Sequence, residues 1–77
     1  METAVRQYDS VDDLPALATV TVLTAFLDVS VATLARWRQK RMGPPWVRVG
    51  GSAVRYPREG IREWLAANEH GTVQEDK

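Results

Sequence analysis

The chain has 77 residues, with 10 basic and 10 acidic side chains, one histidine and no cysteine. This length suits a single domain, which buries only about 60% of the surface of its unfolded chain. Because cysteine is missing and His70 is the sole histidine, the composition excludes disulfide bridges and cysteine or histidine metal sites, and we expect a protein of the reducing cytoplasm without metal or cofactor.

The zero net charge conceals a separation of charge along the chain. Residues 1–28 contain one arginine and five acidic side chains, a net charge of −4, and residues 63–77 contain one lysine and four acidic side chains, a net charge of −3. Residues 29–62 contain eight basic side chains and one acidic side chain, a net charge of +7. A basic segment between acidic ends is typical of a nucleic-acid-binding surface, although on charge alone an ordinary solvated surface is an equal interpretation.

The N-terminal part combines a polar arm with an uncharged segment. Residues 3–8 alternate like a short strand and precede a polar turn over residues 9–13, so the arm of residues 1–13 is predicted to be either a strand or disordered. Residues 14–27 carry no charged side chain, but the acidic residues before them are unlike a signal peptide, and the segment is too short to span a membrane. We therefore expect no membrane association.

The next segments predict two short helices. Thr19 or Thr21 caps a first helix that runs to about Leu27. Its apolar residues fall on a single stripe, which consists of Val22, Leu23, Phe26 and Leu27.

A second helix is predicted over residues 31–41. Ser30 is its N-cap, Leu34 and Trp37 lie on its buried side, and Gly43 ends it before two prolines that prevent its continuation. Because about three residues separate the two apolar helices, they cannot pack as an antiparallel hairpin. They are predicted to cross steeply, as in a helix-turn-helix.

Residues 46–56 predict a β-hairpin. Hydrophobicity alternates on both sides of the turn formed by Gly50, Gly51 and Ser52. The alternation is expected to place Arg48 and Arg55 together on one face. The other face would carry the apolar side chains of Val47, Val49, Val54 and Tyr56.

A third helix completes the predicted fold, with Pro57 at its first position. Its buried stripe is predicted to contain Ile61, Trp64, Leu65 and Asn68. Residues 70–77 form a polar tail that is predicted to be disordered. The predicted fold class is mainly α with a small β-hairpin: a winged helix-turn-helix, with a two-stranded wing and a C-terminal helix, over residues 14–69.

This fold assigns roles to the exposed residues, because the second helix of a winged helix-turn-helix enters the major groove. Arg36 can pair with guanine and Gln39 with adenine, and alanines can approach a thymine methyl group. The predicted major-groove residues are Ala32, Thr33, Ala35, Arg36 and Gln39. The predicted phosphate contacts are Ser30, Arg38, Lys40, Arg41 and Arg58. The predicted wing contacts are Arg48, Gly50, Gly51, Ser52 and Arg55.

Other residues receive structural interpretations. For Arg38, Lys40 and Arg41, stabilisation of the helix dipole is as good an interpretation as phosphate contact. The large aromatic side chains are interpreted as core rather than base-stacking groups; they are Trp37, Trp46, Tyr56 and Trp64. No acid, base and nucleophile form a catalytic constellation, so we expect neither an enzyme nor a small-molecule substrate.

The stretch from Ala18 to Asn68 resembles the phage excisionase branch of the MerR-like winged helix families. The matching residues are 27–30, 33–38, 43–45, 47–51, 54–58 and 64–65. The resemblance implies a recombination directionality factor from a phage, with an actinobacterial host. Such a protein acts in the bacterial cytoplasm: it binds attachment-site DNA cooperatively, bends it and directs a partner integrase towards excision.

Two departures and two alternatives accompany this resemblance. Asp28 stands where this family usually has glycine, so the turn must accept an aspartate, for which a left-handed conformation is expected. The short acidic C-terminal tail differs from the basic tail with which several relatives contact integrase. A small AlpA-like or MerR-like transcriptional regulator of the same fold remains an alternative, as does a protein-interaction module such as an antitoxin or anti-repressor.

Overall fold

The computed structural model describes residues 8–69. A 3₁₀ turn, Val11–Asp13, comes first. The elements that follow are β1 (Leu17–Thr19), α1 (Val20–Leu27), α2 (Val31–Gln39), β2 (Val47–Val49), β3 (Ala53–Pro57) and α3 (Arg58–Ala67). Three helices and a small antiparallel sheet confirm the predicted winged helix-turn-helix.

The predicted caps and the steep crossing of α1 and α2 are confirmed. The Thr19 hydroxyl accepts a hydrogen bond from the Val22 amide at 3.1 Å, and the Ser30 hydroxyl accepts one from the Thr33 amide at 3.0 Å. The chain changes direction by 105° between the helices. Asp28 permits this bend because it adopts the left-handed conformation expected for it, with φ of 59°.

None of the described helices is long and apolar enough to cross a membrane alone. Taken together as a bent pair, α1 and α2 are long and apolar enough for a membrane span, but by length and composition only.

Helix α2 ends two residues earlier than predicted, and Gly43 does not end it. Arg41 is the left-handed residue, with φ of 59°. The Met42 amide donates to the Trp37 carbonyl at 2.8 Å and the Arg41 amide to the Arg38 carbonyl at 3.3 Å, which is the Schellman arrangement. Gly43, with φ of 80°, has a different role: a Cβ there would lie 2.7 Å from Cε3 of Trp37. Its missing side chain lets the indole pack against the loop.

The sheet has three strands in the order β1-β3-β2, rather than the two predicted. Strand β1 pairs antiparallel with β3, with Ala18 opposite Tyr56 and Leu17 opposite Pro57. The sequence did not predict β1, because its three residues read as the approach to α1. The pairing attaches the chain before the helix-turn-helix to the wing that follows it.

The predicted faces of the hairpin are wrong. Val47 lies opposite Arg55 and Arg48 opposite Val54. Residues opposite each other in a sheet share a face, so Arg48 lies on the face of Val54, and Arg55 lies on the other face with Val47. The predicted turn of three residues places Val49 opposite Ala53, and this register, one residue away from the one that the predicted faces require, exchanges the faces of one strand.

A small core joins β1, β3 and the three helices. Its fully buried members are Leu14, Ala18, Leu23, Leu34, Tyr56 and Ile61. Tyr8 and Val11 pack against this core, although the sequence assigned them to the N-terminal arm.

Both ends of α3 differ from the prediction. Asn68 does not share the buried stripe of α3: it is exposed and caps the helix. Pro57 ends β3, so α3 begins at Arg58.

Candidate nucleic-acid interface

The outer face of α2 presents most of the predicted major-groove residues. Leu34 is only 1% exposed, and its burial fixes the rotation of the helix about its axis. The opposite side chains of Ala32, Arg36 and Gln39 are therefore exposed, and Ala35 is half-buried beside them. This face combines two side chains able to form bidentate hydrogen bonds with two small apolar ones.

Two of the predicted contact residues instead form the N-cap of α2. The Ser30 hydroxyl accepts the Thr33 amide hydrogen and donates to the Thr33 hydroxyl, both at 3.0 Å. Thr33 is half-buried. These bonds give the pair a role in starting the recognition helix. Val31, which sequence reasoning did not select, is 57% exposed in the same first turn.

The wing lies beside the second half of α2. A groove between them is lined by Ala35, Arg38, Gln39, Trp46 and Arg48. Arg48 is thus close to the recognition helix. Arg55 is on the opposite face of the sheet, where its guanidinium donates to the Val54 carbonyl at 2.9 Å. The structure separates the two wing arginines that the sequence placed together.

Trp46 lies at the floor of this groove, between the end of α2 and the wing. The guanidinium carbon of Arg48 is 5.5 Å from the centroid of its ring, and that of Arg38 is 5.8 Å away. Both distances are typical of cation–π contacts. Arg38 also donates to the hydroxyl of Tyr56 at 2.7 Å. Tyr56 is 1% exposed, so this bond satisfies a buried polar group and ties α2 to β3.

The remaining predicted contacts lie at the two ends of this surface. Lys40 and Arg41 are exposed just after α2. Gly50, Gly51 and Ser52 are exposed at the tip of the wing, and the two glycines have φ of 62° and 97°. A Cβ on either glycine would meet no atom within 4 Å. The backbone conformation, and not a lack of space, therefore favours glycine at the tip.

The arginines of α3 face acidic partners rather than open solvent. Arg58 donates to the Leu14 carbonyl at 3.0 Å and contacts Glu59 at 3.4 Å. Arg62 forms ion pairs with Asp12 at 2.6 Å and with Glu59 at 2.9 Å. The hydrogen bond from Arg62 lowers the pKa of Glu59 below its ordinary value of 4.5. These contacts hold residues 12–14 against α3. The Arg58 side chain is thus used within the protein, in competition with the phosphate contact predicted for it.

The other basic side chains are concentrated on the helix-turn-helix and the wing. Within residues 8–69 none of them forms an ion pair with a carboxylate; they are Arg36, Arg38, Lys40, Arg41, Arg48 and Arg55. Except for Arg55, they lie on α2, directly after it, or beside it on the wing. This surface therefore carries uncompensated positive charge, which attracts a polyanion. In the same part of the chain no cluster of histidine, aspartate or glutamate could hold a metal ion.

Sequence comparison agrees with this geometry. A family model described as a helix-turn-helix domain matches residues 19–69, from the N-cap of α1 to the end of α3. The chain belongs to the helix-turn-helix domain family. This family includes excisionase-like DNA-binding proteins and is typically non-enzymatic. No curated protein and no solved structure matches the chain. The match begins at Thr19, so the 3₁₀ turn and most of β1 extend the helix-turn-helix domain at its N-terminal side.

Proposed function

We propose that this helix-turn-helix domain binds specific sites in double-stranded DNA, with α2 in the major groove and the wing against the adjacent backbone. The distribution of charge carries the proposal. The arginines of α3 are paired with carboxylates, whereas the basic side chains around the exposed face of α2 have no carboxylate partner within residues 8–69. A duplex supplies the missing negative charge.

In this proposal the residues of α2 divide into two classes. Arg36 lies with Ala32 and Gln39 on the exposed face, where it would meet base edges. Lys40 follows the end of the helix, where it would meet a phosphate. Base contacts confer specificity and phosphate contacts confer affinity for any sequence.

This division can be tested on a duplex selected from a random library by the wild-type protein. Arg36→Ala should weaken binding to the selected duplex by about 1–3 kcal/mol and binding to random DNA much less. Lys40→Ala, the matched control, should weaken both by similar factors. Equal losses on both duplexes for Arg36→Ala would contradict base reading by this side chain.

We further propose that the protein is an excisionase: it would bind repeated sites in attachment DNA, bend the duplex and direct an integrase towards prophage excision. The resemblance over residues 18–68 and the membership in a family with excisionase-like proteins support this role. Recombination of attachment sites by the proposed partner integrase, with and without this protein, tests it directly. Excision that depends on the protein is expected. A transcription change at the bound site without any effect on excision would favour the regulator alternative.

A further inference from the structure

Trp46 contacts the guanidinium groups of two arginines. Arg38 and Arg48 both lie within 6 Å of its ring centroid, and neither has a carboxylate partner within residues 8–69. Two guanidinium groups beside the same ring repel each other, and the negative face of the indole offsets only part of this repulsion. The arrangement is therefore suited to a third, anionic group.

The two guanidinium groups are held from different elements. Arg38 belongs to α2 and is fixed by its bond to the buried hydroxyl of Tyr56. Arg48 belongs to β2, on the sheet face that it shares with Val54. Trp46 is the side chain that contacts both, and it is only half-buried. The bond to Tyr56 uses one of the five N–H donors of the Arg38 guanidinium.

We propose that Trp46 is a positioning residue, which orients Arg38 and Arg48 so that the groove between α2 and the wing binds a phosphodiester strand. The inference rests on the proposed DNA binding. Ala35 and Gln39 line the same groove and belong to the face of α2 directed at the bases. The strand that borders the occupied major groove would therefore pass over Trp46. Guanidinium groups are well matched to phosphate oxygens, since they bind them through parallel N–H donors.

A double-mutant cycle on the selected duplex tests the role of Trp46. Trp46→Leu keeps an apolar side chain but removes the ring, and it should weaken binding roughly 3- to 10-fold on selected and random duplexes alike. Arg48→Ala should weaken binding roughly 5-fold in the wild-type background and less than about 2-fold in the Trp46→Leu background, because the arginine is then no longer oriented. Trp46→Phe should restore most of the affinity, since phenylalanine keeps an aromatic face.

Arg55→Ala is the matched control, because Arg55 lies in the same hairpin but on the other face. Its effect should be the same in both backgrounds. Urea unfolding of each variant, and binding at a temperature where all are folded, separates lost orientation from lost stability. Additive effects of Trp46→Leu and Arg48→Ala would overturn the positioning role while leaving DNA binding intact. Failure of the wild-type protein to prefer its selected duplex over random DNA would overturn the proposed function and this inference with it.

Discussion

Two non-glycine residues end the helices of the helix-turn-helix in a left-handed conformation, Asp28 after α1 and Arg41 after α2. A left-handed backbone costs an ordinary L-residue about 1–2 kcal/mol, and aspartate tolerates it better than most because its short side chain bonds locally. Arginine has no comparable compensation. Glycine would fit position 41 better on conformational grounds, so we propose that the positive charge of Arg41 is kept for contact with DNA.

Arg41→Gly should therefore separate stability from binding. We expect the free energy of unfolding to rise by about 0.5–1 kcal/mol, since glycine adopts positive φ without a steric penalty. Affinity for DNA should fall, and the slope of log affinity against log salt should flatten by about one unit, because one phosphate contact is lost. Urea unfolding and salt-dependent binding measure the two effects.

Arg41→Ala is the control for this change. It removes the same charge and retains a Cβ at positive φ, so binding should weaken as much with no gain in stability. A glycine variant that unfolds more easily than wild type would contradict the strain at position 41. Undiminished binding by either variant would contradict the phosphate contact.

For the wing as an element, we propose that only one of its two arginines, Arg48, contacts DNA. Arg48→Ala should flatten the salt slope by about one unit. Arg55→Ala should leave the slope unchanged, because its side chain lies on the sheet face away from the groove. Fluorescence anisotropy over a range of salt concentrations distinguishes them. Similar slopes for both variants would contradict the register of the hairpin or the position of DNA on it.

The N-terminal segment also acts as a structural element. Tyr8 and Val11 pack against the core, and Asp12 pairs with Arg62. Removing residues 1–13 should lower the free energy of unfolding by about 1–3 kcal/mol, the usual range for the loss of half-buried apolar contacts. Removing residues 1–7 alone is the control and should have little effect. Equal stability of the two shortened chains would show that the packing of residues 8–13 contributes nothing.

The success of sequence reasoning followed the range of the interactions. The caps at Thr19 and Ser30 and the buried position of Leu34 were predicted, because each depends on residues within one or two helical turns. The pairing of Ala18 with Tyr56 was not predicted, because it joins segments that are far apart in the sequence. The face of Arg48 depended on the register of the two strands, and an error of one residue in that register reversed it.

The interface was predictable to a similar extent. The face of α2 with Arg36 and Gln39 followed from helical periodicity. The separation of Arg58 and Arg62 from the other basic residues could not be predicted from the sequence, because it depends on their contacts with Leu14 and Asp12 in the fold. Trp46 was interpreted as a core residue, and it does pack against the core, but its contacts with Arg38 and Arg48 could be seen only in the fold.

At the scale of the whole molecule, one recognition helix and one wing cover about one turn of DNA, which is a small footprint for specific binding in a genome. We therefore propose that copies bind adjacent sites cooperatively. The opposite charges of the middle and the ends of the chain would attract neighbours, and such head-to-tail contacts propagate along a duplex. We also propose that residues 3–8, which the sequence predicts to alternate like a short strand, add to the sheet of a neighbouring copy; residues 3–7 lie outside the described part of the chain. Because β3 is paired on both sides, any added strand must use the free edge of β2 or β1.

Affinity measured on duplexes with one, two and three adjacent sites checks cooperativity. We expect affinity per site to rise with the number of sites and to lose this gain at high salt. A chain without residues 1–7 tests the strand exchange while sparing the packing of residues 8–13. Constant affinity per site would contradict the array, and unchanged cooperativity in the shortened chain would contradict only the exchange.

The pairing of β1 with β3 also determines when this protein can fold during its synthesis. The helices of the helix-turn-helix lie between two strands that bond to each other, with Leu17 opposite Pro57. Residues 20–39 are synthesised before residues 53–61, and until these are made the core lacks Tyr56 and Ile61, and Ala18 lacks its strand partner. Short helices without tertiary packing are marginal in water. We therefore expect the helix-turn-helix to become stable only after β3 and α3 have been made, and a fragment that ends after α2 to bind DNA weakly.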